Sequence, residues 1–179
     1  MMQQIHRPTR PLATVVEPCL RPAGPGDHEL VGAFVSRLSP DSAYSRFLTG
    51  MSGDPTPRLL AALLPEPPAG AAVLAFLDGE LVGHGLWARL RTGSVAEIAI
   101  VVADSHQRRG IGTALVNALT DDLAAQGVTE IEVFSISNNR AVARMVARSA
   151  PDATRELDGP TTTWTFPVRR RAAMLSRTA

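Results

Sequence analysis

Glu97-Ile-Ala-Ile-Val-Val-Ala-Asp-Ser-His-Gln-Arg-Arg-Gly-Ile-Gly-Thr113 is the stretch on which the rest of the chain turns. Ile98 to Val102 is an apolar run with strand character, Ala103 to Arg109 is a polar turn, and Gly110 and Gly112 open a helix. That helix repeats Ile111, Leu115, Leu119 and Leu123 at four-residue spacing, one apolar face. A strand that feeds a loop into a helix N-terminus presents unpaired backbone N–H groups and the positive end of the helix dipole, a setting that suits an anion. Glycines at 110 and 112 let backbone approach such an anion closely, and Arg108 and Arg109 add positive charge beside it.

Working outward, the period upstream is strand-like. Ala71 to Leu77, an Asp78-Gly79 turn, Leu81 to Leu90, an Arg91-Thr92-Gly93 turn and Ser94 to Val102 read as a three-strand antiparallel meander. Before it, Leu30, Val31, Phe34, Val35 and Leu38 mark one face of a helix that starts at Pro25-Gly26-Asp27, and Leu38 to Phe47 reads as a second, capped helix. A short apolar piece, Arg58 to Leu64, stops at Pro65-Glu-Pro-Pro68. Thr14 to Arg21 reads as an opening strand that Pro18 confines to an edge. Downstream come a helix to about Gln126, a strand Glu130 to Ser135, a helix from Asn138 to about Ala150, and a hairpin of Thr154 to Leu157 with Thr161 to Phe166. The expected organisation is a flexible arm over 1–13, one α/β (α+β) domain over 14–168 and a basic tail over 169–179.

Composition narrows the function. A net charge of +1 and few aromatics argue against a nucleic-acid partner, which would call for a basic face or stacking platform. The single cysteine, Cys19, excludes an internal disulfide framework, and no histidine has a partner at metal-ligand spacing, so no metal is expected. With no apolar run long enough to span a bilayer and no signal-peptide pattern, the expectation is a cytoplasmic protein without a membrane partner. All 18 basic residues are arginine, which fits compositional bias and also leaves no lysine side chain for self-modification.

The better-known glycine loops fail on residues. A dinucleotide fingerprint needs a third glycine where Leu115 stands, and a triphosphate P-loop needs a lysine. What remains, Gln107-Arg-Arg-Gly-Ile-Gly112 after the strand Ile98 to Val102, with Asn139 after the next strand, resembles the GCN5-related N-acetyltransferase (GNAT) family over most of the chain. Leu38-Ser-Pro-Asp-Ser-Ala-Tyr-Ser-Arg-Phe47 and Ala96 to Val102 are similar to bacterial protein-lysine acetyltransferases within it. The resemblance implies the GNAT fold, a mixed, mostly antiparallel central sheet flanked by helices, and acetyl-CoA as the acetyl donor. It implies a pantetheine arm paired with the backbone of Ile100, Val101 and Val102, and a diphosphate facing Gln107, Arg108, Arg109, Gly110, Ile111, Gly112 and Thr113. Asn139 would touch the coenzyme. Arg140, Arg144 and Arg148 form a helical stripe that reads as a solvated face with a possible reach to the phosphates.

Acetyl transfer needs an amine without its proton, and a lysine amine has a pKa of ~10.4, so a base is required. Glu97 matches the catalytic glutamate of the lysine-acetylating relatives. If the Arg91 to Gly93 turn sets the register, Trp87 lies opposite Glu97 and its indole would raise the carboxyl pKa. A backbone N–H at Val101 or Val102 would hold the oxyanion. The family's proton-donating tyrosine has no counterpart, since the only tyrosine, Tyr44, lies far upstream. His84 reads as a packed histidine or a second base, and His106 borders the loop.

The acceptor is then an amine, read first as a protein lysine; alternatives are a small amine such as an antibiotic or polyamine, and a non-catalytic acetyl-CoA sensor. The chain departs from the family pattern at Ser149-Ala150-Pro151, where a Gly-aromatic pair is usual. Oligomeric state has no signal in the sequence.

Overall fold

A computed structural model describes residues 17–50, 53–90 and 93–169; the expected arm and most of the expected basic tail lie outside them. The elements in chain order are β1 (Cys19–Pro22), α1 (His28–Ser36), α2 (Pro40–Phe47), α3 (Pro57–Leu63), β2 (Gly70–Leu77), β3 (Glu80–Arg89) and β4 (Val95–Val102). They are followed by α4 (Ile111–Ala125), β5 (Glu130–Ile136), α5 (Arg140–Ser149), β6 (Thr154–Asp158) and β7 (Thr161–Pro167). The strands form one seven-stranded sheet in the order β1-β2-β3-β4-β5-β7-β6. All neighbours are antiparallel except β4 and β5, which the α4 crossover joins in parallel.

Local chemistry sets the boundaries. Ser39 caps α2 by accepting from the Ser42 N–H, and Thr56 caps α3 by accepting from the Leu59 N–H, each with proline at the first helical position. Asp78 and Gly79 both take positive φ, as a tight hairpin turn requires. β1 is an edge strand preceded by Pro18, as read; the earlier part of the expected strand, Thr14 to Val16, lies outside the described residues.

Each face of the sheet has its own core. Ile111, Leu115, Leu119 and Leu123 of α4 are fully buried on one face, the last two against Trp87, Ile98 and Ile131. On the other, Val31, Phe34 and Val35 of α1 and Leu63 of α3 pack with Leu74, Leu86 and Val101. Leu30, expected in that helix face, is exposed.

One register differs from expectation. Ala88, not Trp87, pairs with Glu97, and Trp87 pairs with Ile98. Because side chains alternate, this one-residue difference puts Trp87 on the α4 face, away from Glu97. There its indole N–H donates to Asp122 at 2.6 Å.

Candidate active site

The parallel β4–β5 ladder covers only Val95 to Glu97 against Glu130 to Glu132. Beyond it β4 stays with β3 up to Val102, while β5 stays with β7 up to Ile136, so the sheet forks. A cleft of about 1140 Å³ lies at the fork, with walls from α2, β4, the start of α4, β5 and α5.

Hydrogen bonding fixes which β4 backbone groups face the fork. The Ala103 N–H donates to Val82 O and the Leu90 N–H to Val95 O, so the odd-numbered residues of β4 turn their polar groups toward β3. Val101 is therefore engaged with β3, whereas Ile100 and Val102 direct theirs into the gap. Of the two N–H groups expected to hold an oxyanion, only that of Val102 faces the cleft. Its carbonyl accepts from Gln107 Nε2 at 3.1 Å.

The loop before α4 has left-handed backbone at Arg108 (φ 61°) and Gly110 (φ 92°). Gly110 is the N-cap of α4 and offers no side-chain cap, and no backbone N–H from Arg108 to Thr113 donates a hydrogen bond to a described residue. Consecutive free N–H groups in such a turn at a helix start form a concave anion site. Gly112 is held against the fork: a Cβ there would sit 3.2 Å from Met145 Cε and 3.3 Å from Ile100 Cδ1. Of the residues expected to hold the diphosphate, Gln107, Arg108, Gly110, Gly112 and Thr113 line one end of the cleft, with Asn139 on its wall, whereas Arg109 does not line it and the Ile111 side chain is buried in the core. The Asn139 Oδ1 caps α5 by accepting from the Ala141 and Val142 N–H groups, which leaves its amide NH2 to face a ligand. Arg144 and Arg148 line the cleft while remaining exposed.

At the other end stands Glu97, half-buried at the last β4–β5 pair. Desolvation by burial raises its carboxyl pKa, Arg46 opposes that rise and Glu132 adds to it. The expected upward shift of the Glu97 carboxyl is present, but its cause is burial at the fork rather than the Trp87 indole. Tyr44 lies on the outer surface of α2, half exposed, and does not line the cleft. His84 is fully buried, its Nε2–H donates to Leu63 O at 2.8 Å, and burial followed by the charge of Arg46 depresses its pKa to about 4. It is a neutral packed histidine.

Two features escaped the sequence reading. Arg46 reaches the cleft from α2 beside Glu97, and Asp104 ties α2 to the loop. The Asp104 carboxylate accepts from Ser39 Oγ and Ser42 Oγ, both at 2.8 Å, and Gln107 Nε2 donates to Ser42 Oγ at 3.1 Å. Burial pushes the Asp104 carboxyl up, but the serine bonds outweigh it and hold it below the usual range. These partners are 62 to 65 residues apart, so no local spacing announces them.

A forked sheet, a helix start whose N–H groups are free and a half-buried carboxylate at the fork are the parts expected of an enzyme that transfers an acyl group from a diphosphate-bearing thioester. The model of the acetyltransferase (GNAT) family matches residues 38–149. The chain is 30% identical over 128 residues to the acetyltransferase PA5475 of Pseudomonas aeruginosa, covering 69% of this chain and 68% of that protein. Among solved structures, the GNAT domain of S. lividans PAT is similar with a TM-score of 0.76, at 18% identity, over 84% of this chain and 90% of that one. YncA, a putative acetyltransferase from Salmonella typhimurium solved with acetyl-CoA, is similar with a TM-score of 0.61, at 18% identity, over 88% and 98%. The chain belongs to the GNAT family and is an acetyl-CoA-dependent N-acetyltransferase. Among the described residues no helix is long and apolar enough to cross a membrane, and no cluster of three metal-ligating side chains occurs.

Proposed function

We propose that this enzyme moves the acetyl group of acetyl-CoA to a lysine side chain of a protein, with Glu97 as general base. The observation that carries the reading is the position of Glu97, a half-buried carboxylate with a raised pKa at the point where β4 and β5 part. The free N–H groups from Arg108 to Thr113 take the coenzyme diphosphate, and the backbone of Ile100 and Val102 pairs with its pantetheine arm. The acceptor enters on the α2 side as an ammonium. Glu97 accepts its proton, directly or through water, and the freed lone pair attacks the thioester carbonyl. The C–N bond forms, the nitrogen releases its second proton to water, the C–S bond breaks, and the departing thiolate takes up a proton from solvent, since a thiol of pKa ~8.5 leaves without much help.

The acceptor side favours a cationic polypeptide. Cross-strand pairing puts Glu97, Glu132 and Phe134 on one face with Glu156 and Asp158 of β6. Phe134, Glu156 and Asp158 are exposed, an open acidic surface rather than a closed pocket around a single small amine. The test is acetyl transfer to a proteome extract and to a lysine peptide, wild type against Glu97→Gln. The expected result is labelled protein with the wild type and a loss of about 100-fold or more in the variant, the usual contribution of a general base. Equal transfer by both would overturn the base, and transfer confined to free polyamines would overturn the protein acceptor.

A further inference from the structure

The acceptor side of the cleft holds a cation that the chemistry above does not use. Arg46 projects from α2, which packs on β4 and β5, and lines the cleft with Glu97. Its Nε is buried with no hydrogen-bond partner, and no carboxylate among the described residues lies within ion-pair distance of it. Its guanidinium carbon stands 5.1 Å from the centre of the Phe47 ring, an apolar support for a desolvated cation. Arg46 is half-buried, and a guanidinium whose Nε is desolvated and unpartnered is costly, so a fold that keeps one there needs an opposite charge acting on it.

The charged groups that face Glu97 are few. From α2 comes Arg46, from β5 comes Glu132, and from β3 the paired residue is the apolar Ala88. His84, also on β3, faces Arg46 and is neutral. Burial lowers the pKa of Arg46 to about 10, which leaves it charged at neutral pH, and Glu97 favours that charge.

We propose that Arg46 and Glu132 are opposed positioning residues for Glu97: Arg46 keeps the carboxylate ionised in a desolvated site, and Glu132 keeps it basic enough to accept a proton. This rests on the reading of Glu97 as the base. The two neighbours place the base between two failures. Without the cation its pKa would rise further and less of it would be ionised; without the second carboxylate its pKa would fall and it would accept a proton from the amine less readily. The same cation disfavours a second positive charge in the cleft, so an arriving ammonium is driven toward its neutral, reactive form.

The experiment combines NMR titration of the Glu97 carboxyl with the pH dependence of kcat/KM for a lysine peptide, in wild type, Arg46→Met, Arg46→Lys and Glu132→Gln. Arg46→Met should move both the titration and the acid limb of kcat/KM to higher pH, with activity lost near neutrality and regained as pH rises. Arg46→Lys should restore the wild-type limb, and Glu132→Gln should move both to lower pH. A loss in Arg46→Met that is the same at every pH, with the Glu97 titration unmoved, would overturn the proposal and leave Arg46 a packing residue. Should Arg46→Met not fold, the Glu132→Gln shift decides: no shift overturns it. If Glu97→Gln retains full transfer while the titrations move as stated, the base assignment has failed and the charge coupling has not.

Discussion

At the residue scale the least forgiving positions are His84 and Gly110. His84 donates from Nε2 to Leu63, so its buried Nδ1 carries a lone pair with no partner, and protonation there would place a cation beside Arg46 in a dry site. Its folded pKa, about 4, lies below the ordinary value of 6.5. A depressed pKa means stability that is full above 6.5 and is lost as pH falls toward 4; linkage makes the protein about 2 kcal/mol less stable at pH 5 than at pH 7. Urea unfolding at the two pH values checks this. In His84→Gln, whose amide can still donate to Leu63 O, most of that difference should vanish; an unchanged difference would mean that His84 is not its source. Gly110 is a different case. Its φ of 92° suits no L side chain, so Gly110→Ala should cost roughly 1–2 kcal/mol and tilt the loop's N–H groups. A raised KM for acetyl-CoA with kcat largely kept is the expected signature, read by steady-state kinetics.

At the element scale α2 is the hinge between the two halves of the site. Its N-cap, Ser39, and its first-turn Ser42 both bond Asp104, and Gln107 joins Ser42 to the free end of β4. The acceptor wall and the loop proposed for the diphosphate are therefore held by one carboxylate. Asp104→Asn keeps the shape but loses acceptor capacity, so it should destabilise the protein by about 1 kcal/mol and raise KM for both substrates. An effect on acetyl-CoA alone would mean that α2 is held by other contacts. The elements themselves were legible from apolar period and turn residues: the meander, α4 with its four buried leucine and isoleucine positions, and the β6–β7 hairpin all fall within a residue or two of expectation. Trp87 was misplaced because its side depended on where the turn closed, and a period of two converts an error of one residue into the wrong face. Nothing in the sequence around Arg46 gives it a role, because its relation to Glu97 exists only once α2 is laid across β4.

At the scale of the whole molecule the fork divides the sheet into unequal parts. The β1–β4 part has helices packed on both faces, whereas the β5–β7–β6 part is joined to it by three residue pairs, by α2, which packs on both β4 and β5, and by the contacts of α4 with Ile131 and Val133. α5 is held lightly: Val146 is the one buried side chain within its bounds, and its wall on the cleft side is lined by Ala141, Val142 and Met145. A ligand in the fork would replace the missing β4–β5 ladder and give the inner side of α5 something to pack on. Acetyl-CoA at 100 times its Kd should stabilise the protein by about 2.7 kcal/mol, seen as a rise in Tm. The gain in amide protection should be uneven, because low-stability segments have the most to gain from a ligand that contacts them. Hydrogen exchange with and without coenzyme should slow most in 108–113, 133–136 and 140–149 and little in β2 and β3, already paired on both edges. Protection that rose equally along the chain would place the ligand's effect on global unfolding and remove the fork from its role as the coenzyme's seat.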